Sequence, residues 1–167
     1  MTTRYLHVVL CLCFSLPVRA QTSSQQVTVD AYLSLSFPGR PSRYDAKDVT
    51  VFYTTSNHTT YKMFKRAKYF QDSSDQRHGE FMEKWARSIM AGQEYDGLSK
   101  KATDSVIGGA TGRFIEMGRP DQRKPYFVFL FLTVRGSNMY LLECPSSRPE
   151  ADALKDARNF FGGVVFH

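Results

Sequence analysis

The run Tyr126-Phe127-Val128-Phe129-Leu130-Phe131-Leu132-Thr133-Val134 is apolar at both parities. Successive side chains of a strand point to opposite faces. Tyr126, Val128, Leu130 and Leu132 would therefore line one face, and Phe127, Phe129 and Phe131 the other. A strand of this kind belongs in the middle of a sheet. With cover on one side only, three or four large apolar side chains would stand in water at a cost of about 1.5–3 kcal/mol each. The rest of the chain must therefore supply layers for both faces.

The first twenty residues read as a separate unit. Arg4 precedes the apolar stretch Val8 to Leu16, and Val18 and Ala20 fit the small-residue rule for cleavage after Ala20. The stretch is too short to span a bilayer as a helix. Residues 1–20 are therefore read as a secretion signal, and an exported, periplasmic or extracellular product without a transmembrane segment is expected. Cleavage removes Arg4 and Arg19 from a net charge of +6 and leaves +4. It also removes Cys11 and Cys13, so Cys144 remains without an intramolecular partner and the fold must stand on its apolar core. The 167 residues suit one core and one domain.

Gln21 to Gln26 is polar and reads as a flexible lead-in, which leaves a single domain over 27–167. From Val27 to Phe37 apolar and polar residues alternate, predicting one strand closed by Pro38-Gly39-Arg40-Pro41. Asp48 to Thr55 and Thr59 to Ala67 read as a hairpin about Ser56-Asn57-His58. Asn57-His58-Thr59 also matches a glycosylation acceptor, although a turn accounts for Asn57. Ser73 and Gln76 suggest a capping box opening a helix that carries Phe81, Trp85 and Ile89 on one face until Gly92. Extended segments follow at Ala102 to Ile107 and Gly112 to Met117 around Gly108-Gly109. After the central strand, Arg135 to Asn138 turns the chain into a return strand, Met139 to Cys144. Ser147 and Glu150 suggest a second capping box, with Leu154, Ala157 and Phe161 on one face of the helix it opens. Val164-Val165-Phe166 is a last short strand or a docked tail. The fold class is therefore α+β: a mostly antiparallel sheet with helices packed on its faces.

Three stretches resemble the PsbP-like and DcrB-like domains. Leu35-Ser36-Phe37-Pro38-Gly39-Arg40-Pro41 is similar to a Phe-Pro-Gly-x-Pro opening. Gly108 to Phe114 resembles a Gly-rich strand entry. The block from Gly136 to Cys144, the helix after it, and Asn159 to Phe166 resemble the closing return strand, helix with paired aromatics and final strand; Gly162-Gly163 stands where a Ser is usual. The resemblance implies an α/β/α sandwich used as a non-enzymatic binding or accessory module. It implies no shared active site.

The residues themselves point to little chemistry. His58, His78 and His167 are far apart and lack ligand spacing, so no metal site and no cofactor is expected. No nucleophile signature such as Gly-x-Ser-x-Gly occurs, which disfavours an enzyme. Lys62, Lys65, Arg66 and Lys68, with Lys100 and Lys101 as neighbours, are a candidate surface for a protein or an anionic envelope component; the competing account is a strand edge whose lysines discourage pairing. Export and the lack of a recognised motif argue against nucleic acid. A small-molecule pocket between helix and sheet, near Trp85 and Cys144, is the alternative. Against it, Trp85 with Phe81 reads as core, and Cys144 reads as a small buried apolar residue.

Overall fold

The computed structural model describes residues 23–70, 75–121 and 123–167. The predicted secretion signal and the Ser73 capping box lie outside the described residues.

The described residues form ten strands and two α-helices: β1 (Ser24–Thr28), β2 (Leu33–Pro38), β3 (Ser42–Ala46), β4 (Val49–Ser56), β5 (Thr59–Arg66), α1 (Asp75–Met90), β6 (Ser99–Ile107), β7 (Ala110–Arg119), β8 (Tyr126–Arg135), β9 (Asn138–Ser146), α2 (Glu150–Gly162) and β10 (Val164–Phe166). Seven strands form an antiparallel sheet in the order β3-β4-β5-β9-β8-β7-β6, and β1, β2 and β10 form a smaller one.

The doubly apolar run is β8, hydrogen-bonded between β7 and β9. Every residue from Phe127 to Thr133 is buried. Phe127, Phe129 and Phe131 join Leu33, Leu35, Phe37, Phe160 and Phe166 in one core, formed with α2 and the smaller sheet. Val128 and Leu130 join Ala86, Ile115 and Met117 in a second core, under α1. Both faces are covered, as the sequence requires, but the α2 face shares its cover with a second sheet.

That second sheet corrects the predicted 27–37 strand. The segment is a hairpin, with β1 paired to β2 from Ser24↔Pro38 to Thr28↔Ser34. Asp30 makes the turn: its Oδ1 accepts the backbone N–H groups of Tyr32 at 2.8 Å and Leu33 at 3.0 Å. Ser24 to Gln26, read as lead-in, belong to β1. Val164 to Phe166 is a strand, paired to β2. β3 was not anticipated. The β4–β5 hairpin matches its prediction, and Asn57 (φ 48°) and His58 (φ 62°) provide the two positive-φ residues that a tight, twisted turn needs.

The second predicted capping box is absent. Pro149 precedes α2 and no side chain caps it. Instead α2 is clamped along its flank. Asp156 accepts from Arg148 at 2.7 Å and from the Thr59 hydroxyl at 2.8 Å, and Thr59 is also bonded to Ser146 at 2.8 Å. This ties the helix to β5 and β9.

Candidate functional site

The alternation of β5 divides the basic residues between two faces. Thr59, Tyr61 and Met63 are buried on the α2 side, and Lys65 continues that parity. Its Nζ meets Asp30 Oδ2 at 2.5 Å. Lys62 and Arg66 take the other face. Lys62 pairs with Glu143, its partner in register on β9, at 3.3 Å, and the Arg66 guanidinium lies 4.8 Å from the centre of the Tyr69 ring. Lys68 is exposed in the turn after β5. β5 is not an edge strand, because it lies between β4 and β9. β6, which carries Lys100 and Lys101, is four strands away, about 19 Å at ordinary strand spacing. The four residues thus form no single surface, and the two further lysines are remote.

Trp85 and Cys144 are not brought together either. Trp85 lies on α1, its ring 5.7 Å from that of Phe81, which in turn packs on Tyr69 and Phe70. Cys144 is fully buried in the core on the opposite side of the sheet. Burial, with Asp156 and Glu143 adding a smaller effect, pushes its thiol up to about 12.

The histidines stay apart. His58 sits in the β4–β5 turn. His167 meets the Ser34 hydroxyl at 3.1 Å. His78 is buried against the Phe70 ring at 4.7 Å. Among the described residues no group of three or more His, Cys, Asp or Glu could hold a metal ion.

A groove of about 490 Å³ opens between α2 and the β6–β7 hairpin. Its origin is topological. β6 is the last strand of the sheet, and α2 lies over the strands inside it, so no element among the described residues closes the gap at the margin. From the sheet side Ile107 and Phe114 line it, and from the helix side Leu154, Ala157 and Phe161, spaced three and four apart. Phe114 meets Phe161 edge to face, with ring centres 5.5 Å apart. Val106, at the lip, is 67% exposed. Apart from Ser105, the polar side chain at the groove is Arg158, which is exposed and makes no ion pair among the described residues. The lining contains no carboxylate, imidazole or thiol, and its side chains are mostly apolar. The alternative reading placed a pocket between helix and sheet near Trp85 and Cys144; neither residue lines this groove, which lies beside α2. The sequence showed Leu154, Ala157 and Phe161 as one face but not that the sheet continues past it.

The fold and groove define a small α+β domain with a layered core and an open apolar cleft. No family model and no curated protein matches the sequence. Among solved structures, LpqN of Mycobacterium tuberculosis, described as involved in cell envelope biogenesis, is similar over 86% of this chain and 90% of its own, with 9% identity and a TM-score of 0.50. A protein from Bacteroides thetaiotaomicron is similar over 81% of this chain but 45% of its own, with 13% identity and a TM-score of 0.48. A Pseudomonas aeruginosa protein of unknown function is similar over 81% of this chain and 94% of its own, with 13% identity and a TM-score of 0.40. At such identities the likeness to LpqN speaks to the fold. No helix among the described residues is long and apolar enough to cross a membrane.

Proposed function

We propose that this chain is an exported, non-enzymatic binding module of the cell envelope, of the PsbP-like kind, and that it holds an apolar ligand such as a single acyl chain in the groove between α2 and the β6–β7 hairpin. The observation that carries the reading is the groove itself: a solvent-open cleft of ligand size, walled by Ile107, Phe114, Leu154, Ala157 and Phe161. Arg158 at its side suits a ligand with an anionic end, which keeps an anionic envelope component as the partner class. The residues read as a secretion signal and the likeness of fold to an envelope protein support the location.

The test is fluorescence titration with cis-parinaric acid, a single-chain probe that brightens in apolar surroundings. Saturable binding that weakens in Leu154→Gln and Val106→Gln, at unchanged melting temperature, supports the reading. Failure of the probe to bind the wild-type protein refutes it.

A second reading rests on a separate observation. Among the described residues the outer edge of β6 has no strand beside it, so an extended segment of a partner protein could pair there and seat alternate side chains in the same groove. That reading predicts binding of extended peptides without binding of the acyl probe.

A further inference from the structure

The seven-stranded sheet ends on β3, and among the described residues no strand lies beside its outer margin. Which backbone groups face that margin follows from the ladders inside it. The Ala67 N–H donates to the Asp48 carbonyl at 2.7 Å, one step beyond the pair Val49↔Arg66, so Asp48 faces β5. Successive residues of an antiparallel strand face opposite neighbours, and Val49, Val51 and Tyr53 therefore face β3. Their partners in register, Ala46, Tyr44 and Ser42, turn their own backbone groups inward to meet them. The N–H and C=O groups left pointing outward are those of Arg43 and Asp45.

The side chains of β3 are arranged symmetrically. Arg43 and Asp45 lie on the α2 side of the sheet, where the Arg43 guanidinium stands 5.4 Å from the centre of the Phe52 ring. They meet each other at 2.7 Å along the strand, and their side chains stay 58% and 51% exposed. Tyr44 points to the opposite face and is 60% exposed. Natural edge strands are commonly guarded by lysine or proline, which deter pairing. β3 has neither among its five residues, Ser-Arg-Tyr-Asp-Ala. It carries instead one cation and one anion, evenly placed about Tyr44.

We propose that β3 pairs with β3 of a second copy of this chain, antiparallel, about a two-fold axis through Tyr44. That register sets Arg43 opposite Asp45 of the second copy, and Asp45 opposite Arg43 of the second copy, both as hydrogen-bonded pairs. The outward backbone groups thus satisfy one another. The four charged side chains alternate in sign around the axis, so each has opposite charges as its nearest neighbours. The two Tyr44 residues form the non-hydrogen-bonded pair, with Cα atoms about 4.5 Å apart, the closest cross-strand approach for two aromatic side chains. The next registers that suit the backbone, two residues either way, set Arg43 on Arg43 or Asp45 on Asp45 and are disfavoured by like charge. Such an interface is isologous and closes at two copies. Five residues a side make it short, so the dimer is weak and concentration-dependent. It lies at the opposite end of the sheet from β6 and does not depend on the reading given to the groove.

Sedimentation velocity of the protein from about 10 µM to about 1 mM tests the proposal. A reversible monomer–dimer equilibrium is expected, weakened by salt, with no larger species. Arg43→Asp and Asp45→Arg each set like charges opposite one another and should weaken association by roughly tenfold or more. Combining the two reverses both signs and restores the alternation, so the double variant should return to within about threefold of wild type. Circular dichroism and an unchanged melting temperature establish that the variants are folded. Asp45 also accepts from the Thr50 hydroxyl at 2.8 Å; if Asp45→Arg melts early, Tyr44→Lys, which brings two cations together on the axis, takes its place and should likewise weaken association. A monomer at every concentration, association that the folded single variants leave unchanged, or a folded double variant that does not regain it overturns the proposal.

Discussion

Lys65 and Asp30 meet at 2.5 Å across the boundary between the two sheets, with side chains 16% and 15% exposed. Asp30 also accepts from the Tyr140 hydroxyl at 2.7 Å and, through its other oxygen, from two backbone N–H groups of its own turn. One carboxylate thus closes the β1–β2 hairpin and fastens it to β5 and β9. Burial by itself would raise the Asp30 pKa, but the hydrogen bonds from Lys65, Tyr140 and the turn outweigh it and hold the carboxyl below its ordinary value.

A stability dependence on acid follows from that pair. A depressed folded-state pKa means that Asp30 contributes fully above its unfolded value of about 3.9 and loses the contribution as pH falls through the folded value. Asp30→Asn should cost about 2–3 kcal/mol at neutral pH, the scale for hydrogen bonds to a charged group. Urea denaturation at pH 7 and at successively lower pH checks this, since the gap between wild type and variant should close in acid. A gap independent of pH would mean that the charge on Asp30 is not what holds the turn.

Gly108 joins the β6–β7 turn to the smaller sheet. Its φ of +58° is in the left-handed region, its carbonyl accepts the Phe166 N–H at 2.7 Å, and a Cβ there would lie 2.5 Å from the Val164 carbonyl oxygen. Gly97 has a similar φ of +77° but open space around it. Gly108→Ala should therefore destabilise by the backbone strain of about 1–3 kcal/mol plus the cost of moving β10. Gly97→Ala should show the strain alone. Thermal denaturation of the two variants side by side separates the terms.

Cys144 should be silent to thiol reagents in the folded protein. Its thiol is fully buried and its pKa is pushed up to about 12, so at pH 8 almost none is thiolate. Labelling with dithionitrobenzoate should proceed at the rate of unfolding and accelerate with urea. Rapid native-state labelling would contradict its place in the core.

What the sequence revealed and what it concealed have one physical source. β8 was legible because seven successive apolar residues, Tyr126 to Leu132, satisfy both parities of a strand at once. The β1–β2 hairpin was not, because Val27, Val29, Ala31, Leu33 and Leu35 keep one parity straight through the turn, and Asp30 passes for an ordinary outward residue of a strand. The basic residues misled in the opposite way. Lys62, Lys65 and Arg66 are close in sequence, yet alternation sends Lys65 to Asp30 and the other two to the far face. Trp85 and Cys144 failed as a pair because a sheet one strand thick stands between them. The groove depends on where α2 stops covering the sheet, and no local pattern records that.

Affinity at the α2 groove should rise with the length of the ligand's chain. Each methylene moved from water against Leu154, Phe114 and Phe161 contributes about 0.8 kcal/mol, roughly fourfold in affinity. Saturated fatty acids of increasing length, competed against bound cis-parinaric acid, should follow that slope until the cleft is full and then level off, because further carbons remain in water. Leu154→Gln should lower every member of the series by a similar factor, since it removes apolar wall without moving the chain's path. Arg158→Gln should leave the slope intact and weaken carboxylates more than the matching alcohols, because it acts on the end of the ligand and not on its length. A flat series would show that the ligand's chain does not lie in this cleft.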